Sequence, residues 1–180
     1  QMQLVVYMDA AMQAEQRKHP DCQVRPAGIF YYNVKDPMLQ KEMEEDLDEL
    51  DPEIFKKLKM NGLVMDDRDV IEKLDRTTIS LPLSYTTKGA LRKGSSVASE
   101  TEFELLDAYV KKKITDIRES ILDGNTEAAP YEMGNRNACT YCPYQGTCGF
   151  DRKIPGYEFR RLKQFADEEI WKAFAKEVED

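Results

Sequence analysis

The chain has 180 residues, of which 33% are charged and 41% hydrophobic, and its formal net charge is −8. Its length allows one core with a small additional lobe, and the lack of any apolar run near the roughly 18 residues that cross a bilayer argues against a membrane protein. The first residues lack the basic leader and cleavage site of a signal peptide, so we expect a cytoplasmic protein whose four cysteines serve metal or redox chemistry rather than disulfides.

The first predicted element is a helix near the start of the sequence. Apolar residues occur nearly all round the segment 4–12, which predicts a buried helix, and no start signal precedes it. We therefore expect the sequence to be a piece of a longer protein. After a loop with two prolines at 17–26, the stretch AGIFYYNV at 27–34 is rich in β-formers and predicts a strand.

An acidic segment follows over residues 36–75. It contains 14 acidic and six basic residues, a difference that equals the whole net charge of the chain. Its pattern predicts partly amphipathic helices over 38–50 and 52–60, a short apolar piece at NGLVMDD and a helix near 68–74. We interpret the segment as a soluble insert that faces away from any nucleic acid, with a docking surface for another protein as the second possibility.

The next stretch, TTISLPLSYTTKGALRKGSS at 77–96, predicts irregular strands or a hairpin. Its Lys88, Arg92 and Lys93 form a positive loop that is a candidate for contacts with DNA backbone phosphates. A second basic group, Arg160, Arg161 and Lys163, is a candidate for contacts with phosphate or with a partner chain.

The strongest helix prediction covers residues 100–123. Six apolar residues recur at spacings of three and four, which predicts one continuous stripe that we expect to be core. Ser99 and Glu102 fit a capping box, and Gly124 fits a left-handed stop. The stripe consists of Phe103, Leu106, Val110, Ile114, Ile117 and Ile121. A last amphipathic helix is predicted near 167–178.

Three of the four cysteines, Cys139, Cys142 and Cys148, lie within ten positions of a loop without helical or strand periodicity. The spacing favours ligation of zinc or an iron–sulfur cluster, with iron–sulfur modestly preferred, over a thioredoxin-type redox pair. A Cys/His zinc finger is excluded because His19 is the only histidine. The internal candidate for a fourth ligand is Cys22, although we favour an ordinary thiol there and a fourth ligand upstream of this chain.

Several motifs together resemble one known family. The stretch QLVVY at 3–7 is similar to the Q-x-x-x-Y helix motif of the RecB-type nucleases, a branch of the PD-(D/E)xK fold. Further stretches resemble the AddB family, which provides one of the two chains of the bacterial ATP-dependent helicase/deoxyribonuclease. These are PAGIFYYNVKDPM at 26–38, SSVASETEFELLDAYVKKKI at 95–114, ACTYCPYQGTCGFD at 138–151 and IPGYEFRRL at 154–162.

The resemblance implies a specific function and cofactors. The family forms a heterodimer with an A subunit and resects double-strand DNA ends for recombinational repair. Cys139, Cys142 and Cys148 would ligate a [4Fe–4S] cluster that staples the domain, with the fourth cysteine far upstream and Cys22 a bystander. Gln3 and Tyr7 would border the nuclease site, where an amide and a phenol can position the scissile phosphate or the waters of the catalytic Mg²⁺.

The resemblance also implies that the catalytic carboxylates precede this chain, so we expect the chain alone not to cut DNA. The literal D-x-K of Asp151 and Lys153 lies in a loop without a strand pattern, and we interpret it as chance.

We expect an α/β fold, mostly helical with few strands, forming part of a restriction-endonuclease-like domain. Its expected segments are the end of the nuclease core at 1–35, the acidic insert at 36–75, the rest of the domain with the cysteine loop at 76–162, and a terminal helix at 163–180.

Two alternatives to this interpretation stay open at the level of sequence. One is a fragment of a stand-alone CRISPR-associated exonuclease with the same cysteine arrangement. The other is a non-catalytic zinc or iron–sulfur interaction module that binds another protein. No membrane partner is expected for the nuclease subunit or for either alternative.

Overall fold

The structure is a computed structural model that describes residues 2–32, 34, 54 and 58–179. The chain divides into two units, Gln1–Val110 and Lys111–Asp180. The described residues form five helices and six short strands, which confirms the predicted α/β class. None of the described helices is long and apolar enough to cross a membrane. The predicted helices over 38–50 and 52–60 lie outside the described residues, apart from Ile54 and 58–60.

The first unit is built around a three-stranded sheet. Its strands are β1 (Gly28–Tyr31), β2 (Asn61–Met65) and β3 (Val97–Ala98), in the order β1-β2-β3. β1 pairs antiparallel with β2, and β2 pairs parallel with β3. The predicted strand at 27–34 is confirmed by β1, whereas the short apolar piece in the acidic segment proves to be the central strand.

The central strand is covered on both faces. Val64 and Met65 are neighbours with 0% and 2% exposure, and adjacent strand residues point to opposite sides of a sheet. Val64 belongs to a buried cluster with Ile71, Leu81 and Leu83. The loop at 77–96 therefore contributes core residues as well as a hairpin, whose single bridge joins Tyr85 to Leu91.

Two helices of this unit confirm their predictions. α1 runs over Met2–Lys18, and α2 runs over Arg68–Leu74. The Asp67 side chain caps α2 by accepting from the backbone N–H groups of Asp69 and Val70. The expectation that α1 is buried is wrong for most of its length, because among its described residues only Val5 is buried.

Asp75 organises the turn that leads from α2 into the core. Its two carboxylate oxygens accept four hydrogen bonds, from the backbone N–H and the hydroxyl of both Thr77 and Ser80. Partial burial by itself would raise the pKa of the Asp75 carboxyl, but the hydrogen bonds from Ser80 and Thr77 outweigh it and hold that pKa far below its usual range. The ionised carboxylate thus fixes the chain just before Leu81.

We expect Asp75→Asn to lower the free energy of unfolding by about 2 kcal/mol at pH 7, because an amide NH₂ replaces one oxygen that accepts two hydrogen bonds. The pKa of Asp75 is lower in the folded state, so its stabilisation is complete above about pH 5 and disappears as the pH falls through the folded-state value. In urea titrations followed by circular dichroism, the free energies of unfolding of the unchanged chain and of Asp75→Asn should begin to converge as the pH falls below about 4. The exposed Asp21→Asn is the control, and an equal effect of both substitutions would contradict the role of Asp75.

The long helix α3 covers Glu100–Leu122, as predicted. Its capping box is present, since Ser99 N–H donates to Glu102 Oε2 at 2.7 Å and Glu102 N–H donates to Ser99 Oγ at 3.3 Å. The expectation that the whole apolar stripe is core is wrong. Phe103 and Val110 are buried, but exposure rises along the helix to 69% at Ile121. A continuous stripe shows that a helix is amphipathic, not that something covers all of it.

The second unit contains a small sheet and the last helix. Its strands are β4 (Tyr131–Met133), β5 (Arg136–Asn137) and β6 (Arg160–Arg161), in the order β5-β4-β6. β4 pairs antiparallel with β5 and parallel with β6. The predicted terminal helix is confirmed as α5 (Asp167–Glu179), and an ion pair between Glu177 and Lys113 joins it to α3.

Candidate functional site

The polar pair of α1 is assembled as its spacing predicts. Residues four apart lie on one face of a helix, and Gln3 Nε2 donates a hydrogen bond of 2.6 Å to Tyr7 Oη. Both side chains lie at the surface, and Tyr7 is 59% exposed. The amide and phenol therefore form one preformed polar group that a phosphate or a hydrated metal ion can approach.

Tyr7 also lines a groove in the first unit. This groove has a volume of about 420 Å³ and is bounded by α1 and by the chain from Val24 to Ile29 at the start of β1. Apolar side chains from α1, including Leu4, Met8 and Met12, cover its floor. The pair of Gln3 and Tyr7 thus lies on a helix that packs beside the first strand.

The cysteine loop connects β5 to β6 and begins with an Asx turn. Asn137 Oδ1 accepts from the backbone N–H of Cys139 at 2.9 Å, and Cys142 N–H donates to the Cys139 carbonyl at 3.2 Å. The short helix α4 (Gln145–Cys148) then ends at Gly149, which has a φ of 70°. The sequence therefore folds into two consecutive tight turns, with Cys139 and Cys142 on the first and Cys148 at the end of the second.

The four cysteines are free thiols, with Cys139 and Cys142 partly buried and Cys148 and Cys22 exposed. Three accessible thiols on tight turns suit an iron–sulfur cluster by type and by spacing. The described residues, however, contain no group of three or more Cys, His, Asp or Glu side chains that could hold a metal ion. Tyr141 and Tyr144 are 95% and 71% exposed, so these rings do not cover the loop.

The basic loop of the first unit is exposed. Lys88, Arg92 and Lys93 lie in or beside the hairpin closed by the bridge between Tyr85 and Leu91. Arg92 Nε donates to the Tyr85 carbonyl at 3.1 Å, which fixes the direction of this side chain. The three cations are thus close together in the chain and reach solvent, as contacts with a phosphate backbone require.

A polar pocket next to the cysteine loop was not predicted from the sequence. It has a volume of about 510 Å³ and is lined mainly by residues 152–161 together with Glu132 of β4. The signal for it was that Phe159, just before β6, lies two residues from Arg161, and residues two apart share one side of an extended chain. The literal D-x-K lies in a turn of this segment, where the Asp151 side chain accepts a hydrogen bond from the Lys153 backbone N–H. A turn of this kind agrees with the interpretation of the motif as chance.

A profile of the PD-(D/E)XK nuclease superfamily matches residues 1–149 of the chain. The chain belongs to this superfamily. The match includes α1 with its polar pair and all four cysteines, and it confirms the predicted fold and family.

Curated relatives are similar to the chain along almost its whole length. Proteins named as the B subunit of an ATP-dependent helicase/deoxyribonuclease are 35% identical over 182 residues in Thermoanaerobacter sp. and 38% over 195 residues in Lachnoclostridium phytofermentans, each match covering 99% of this chain. The protein of that name in Bacillus subtilis is 33% identical over 183 residues. The chain spans 16% of the length of these relatives.

Proposed function

We propose that the chain is the C-terminal part of the nuclease domain in the B subunit of an ATP-dependent helicase/deoxyribonuclease. Within the parent protein and its A subunit, it would act in the cytoplasm to resect double-strand DNA ends for recombinational repair. The observation that carries this proposal is the similarity to proteins of that name along 99% of the chain. The names of these relatives favour the proposal over a stand-alone CRISPR-associated exonuclease.

In this proposal the chain supplies accessory groups rather than the reacting carboxylates. The parent domain would hold Mg²⁺ on carboxylates upstream of the chain, where the ion would activate water for hydrolysis of the phosphodiester. Gln3 and Tyr7 would orient the scissile phosphate through their amide and phenol groups. Their mutual hydrogen bond supports the proposal, because it fixes both groups on one face before the substrate arrives.

We further propose that Cys139, Cys142 and Cys148 ligate a [4Fe–4S] cluster, with the fourth cysteine upstream of the chain rather than at Cys22. The free thiols and the two tight turns that carry them support the proposal. Cluster binding would tie the two turns to each other, as metal binding and local folding are often coupled. The cluster would have a structural role, with no electron-transfer step.

Lys88, Arg92 and Lys93 are proposed to contact the DNA backbone. Their exposure supports this role, and so does the absence of acidic residues from the stretch 76–99 around them. Such contacts would position DNA without reading its sequence. The alternative of a non-catalytic interaction module is less favoured because the superfamily match covers residues 1–149, including the helix with Gln3 and Tyr7.

The proposal is tested with Tyr7→Phe in the complete parent protein bound to its A subunit. We expect the nuclease rate to fall about a hundredfold, because one preorganised polar group at the phosphate is lost. DNA unwinding and ATP hydrolysis should stay unchanged. Degradation of end-labelled linear DNA and ATP turnover are measured on the same preparation.

Tyr32→Phe is the matched control, because Tyr32 is 57% exposed and loses the same hydroxyl. Its nuclease rate should equal that of the unchanged protein. Equal nuclease rates in both variants would contradict the proposed role of Tyr7.

A further inference from the structure

The pocket in the second unit combines aromatic rings with arginines. Its lining includes Arg152, Tyr157, Phe159 and Arg161. The segment 150–163 contains five basic and two acidic residues, although the whole chain is acidic. The lining itself holds two arginines and two glutamates, Glu132 and Glu158, so the argument for an anionic ligand is the excess of cations in the segment around the pocket.

The aromatic rings form a supported platform. Phe150 contacts Tyr157 with ring centroids 5.6 Å apart and Phe159 with centroids 5.0 Å apart. All three rings are partly buried, so each keeps one part accessible while its neighbours restrict its rotation. The Tyr157 and Phe159 rings are inclined to the Phe150 ring by 85° and 55°, so each ring offers its own apolar face, at little cost in side-chain entropy.

The two arginines are held beside this platform. The Arg152 guanidinium lies 5.5 Å from the centroid of the Phe159 ring. Arg161 Nε lies 3.8 Å from Glu132 Oε2, yet the Arg161 side chain is 81% exposed. A guanidinium carries five N–H donors, so this one ion pair leaves donors available to a second anion.

We propose that this pocket binds single-stranded DNA, with one base stacked on Tyr157 and neighbouring phosphates contacted by Arg152 and Arg161. An unpaired base can leave the stack and lie on an aromatic ring, whereas a duplex presents only its phosphates to such a surface. The proposal rests on the proposed function of the chain in a DNA-processing enzyme. It adds a strand-binding site distinct from Gln3, Tyr7 and the basic loop.

The test measures fluorescence anisotropy of a labelled 15-nucleotide oligothymidylate with the 180-residue chain over a range of salt concentrations. Arg152→Gln/Arg161→Gln should weaken binding about tenfold and reduce the slope of log K against log salt by about 0.7 for each lost phosphate contact. Tyr157→Leu should weaken binding about tenfold without changing the slope, since stacking is uncharged. Arg152→Lys/Arg161→Lys should restore the slope.

Arg118→Gln/Lys176→Gln is the matched control, because it removes two exposed charges from the same unit. Circular dichroism is used to check that each variant is folded. If the oligonucleotide binds and the pocket variants behave like this control, the strand-binding site is overturned while the proposed function stands. Equal binding of blunt duplex or polyglutamate, with no effect of Tyr157→Leu, would also overturn it. If the chain binds neither form of DNA, the site is overturned, and the nuclease assay on Tyr7→Phe decides the proposed function independently.

Discussion

Replacing Gly62 with alanine is expected to break the pairing of β1 and β2 and to unfold the sheet of the first unit. Gly62 has a φ of 154° and pairs with Phe30, and an added Cβ would lie 2.0 Å from the Ile29 carbonyl oxygen. That oxygen belongs to the backbone of the neighbouring strand, so it cannot move without separating the strands. We expect the free energy of unfolding to fall by at least about 3 kcal/mol.

The effect is measured by urea unfolding and by hydrogen exchange of a peptide that covers β2. Gly89→Ala is the control, because Gly89 has a φ of 79° but no atom within 4 Å of an added Cβ. It should cost only about 1 kcal/mol, the penalty of a left-handed conformation for alanine. If both substitutions shift the urea midpoint equally, close approach of the strands does not explain the glycine at position 62.

The position of Gly62 also shows why the central strand was hard to predict. NGLVM lies inside the acidic segment and offers only three apolar residues in a row, so its local pattern indicates no more than a short apolar piece. β2 becomes central because partners far away in the chain, Gly28 and Val97, pair with the same residue, Val64. Such non-local pairing is decided by the tertiary fold and leaves little trace in local sequence.

Helices were predicted more accurately because their signals are local. The capping box at Ser99 and the apolar period fix where α3 begins and which residues share a face. They do not fix what covers that face, and Ile114 and Ile121 prove to be 43% and 69% exposed. Periodicity describes one helix, whereas burial depends on its neighbours.

The candidate site was predictable to the same degree. The four-residue spacing of Gln3 and Tyr7 predicts that both lie on one face of a helix, and the spacing of the cysteines favours ligation of a metal. Which of the cysteine thiols are exposed was not predictable, and neither was the pocket around Arg152 and Phe159. Both depend on how a loop without helical or strand periodicity folds back between β5 and β6.

The second unit needs a stabilising element beyond its own packing. None of its described residues is buried, and the strands of its sheet have three, two and two residues. Strands this short form no stable sheet without further packing. A cluster ligated by the loop between β5 and β6 would hold both strands through their connection, so its binding free energy would also be folding free energy.

Cys142→Ser is therefore expected to abolish the cluster and to loosen the second unit. The unchanged parent protein bound to its A subunit, purified without oxygen, should contain iron and acid-labile sulfide in nearly equal amounts and absorb visible light. The variant should lose both, because a serine hydroxyl is a much poorer ligand for iron than a thiolate. Hydrogen exchange in β4 and β6 should become faster while that in β2 stays the same, since only the second unit depends on the loop.

Cys22→Ser is the matched control for this experiment. Cys22 is exposed and lies in the first unit, so the iron content and the exchange rates should not change. If Cys22→Ser also removed the cluster, the fourth ligand would be Cys22 rather than a cysteine upstream. Tightly bound zinc in place of iron and sulfide would contradict the cluster and favour an interaction module, because three thiolates and one further ligand complete the tetrahedral site that structural zinc requires.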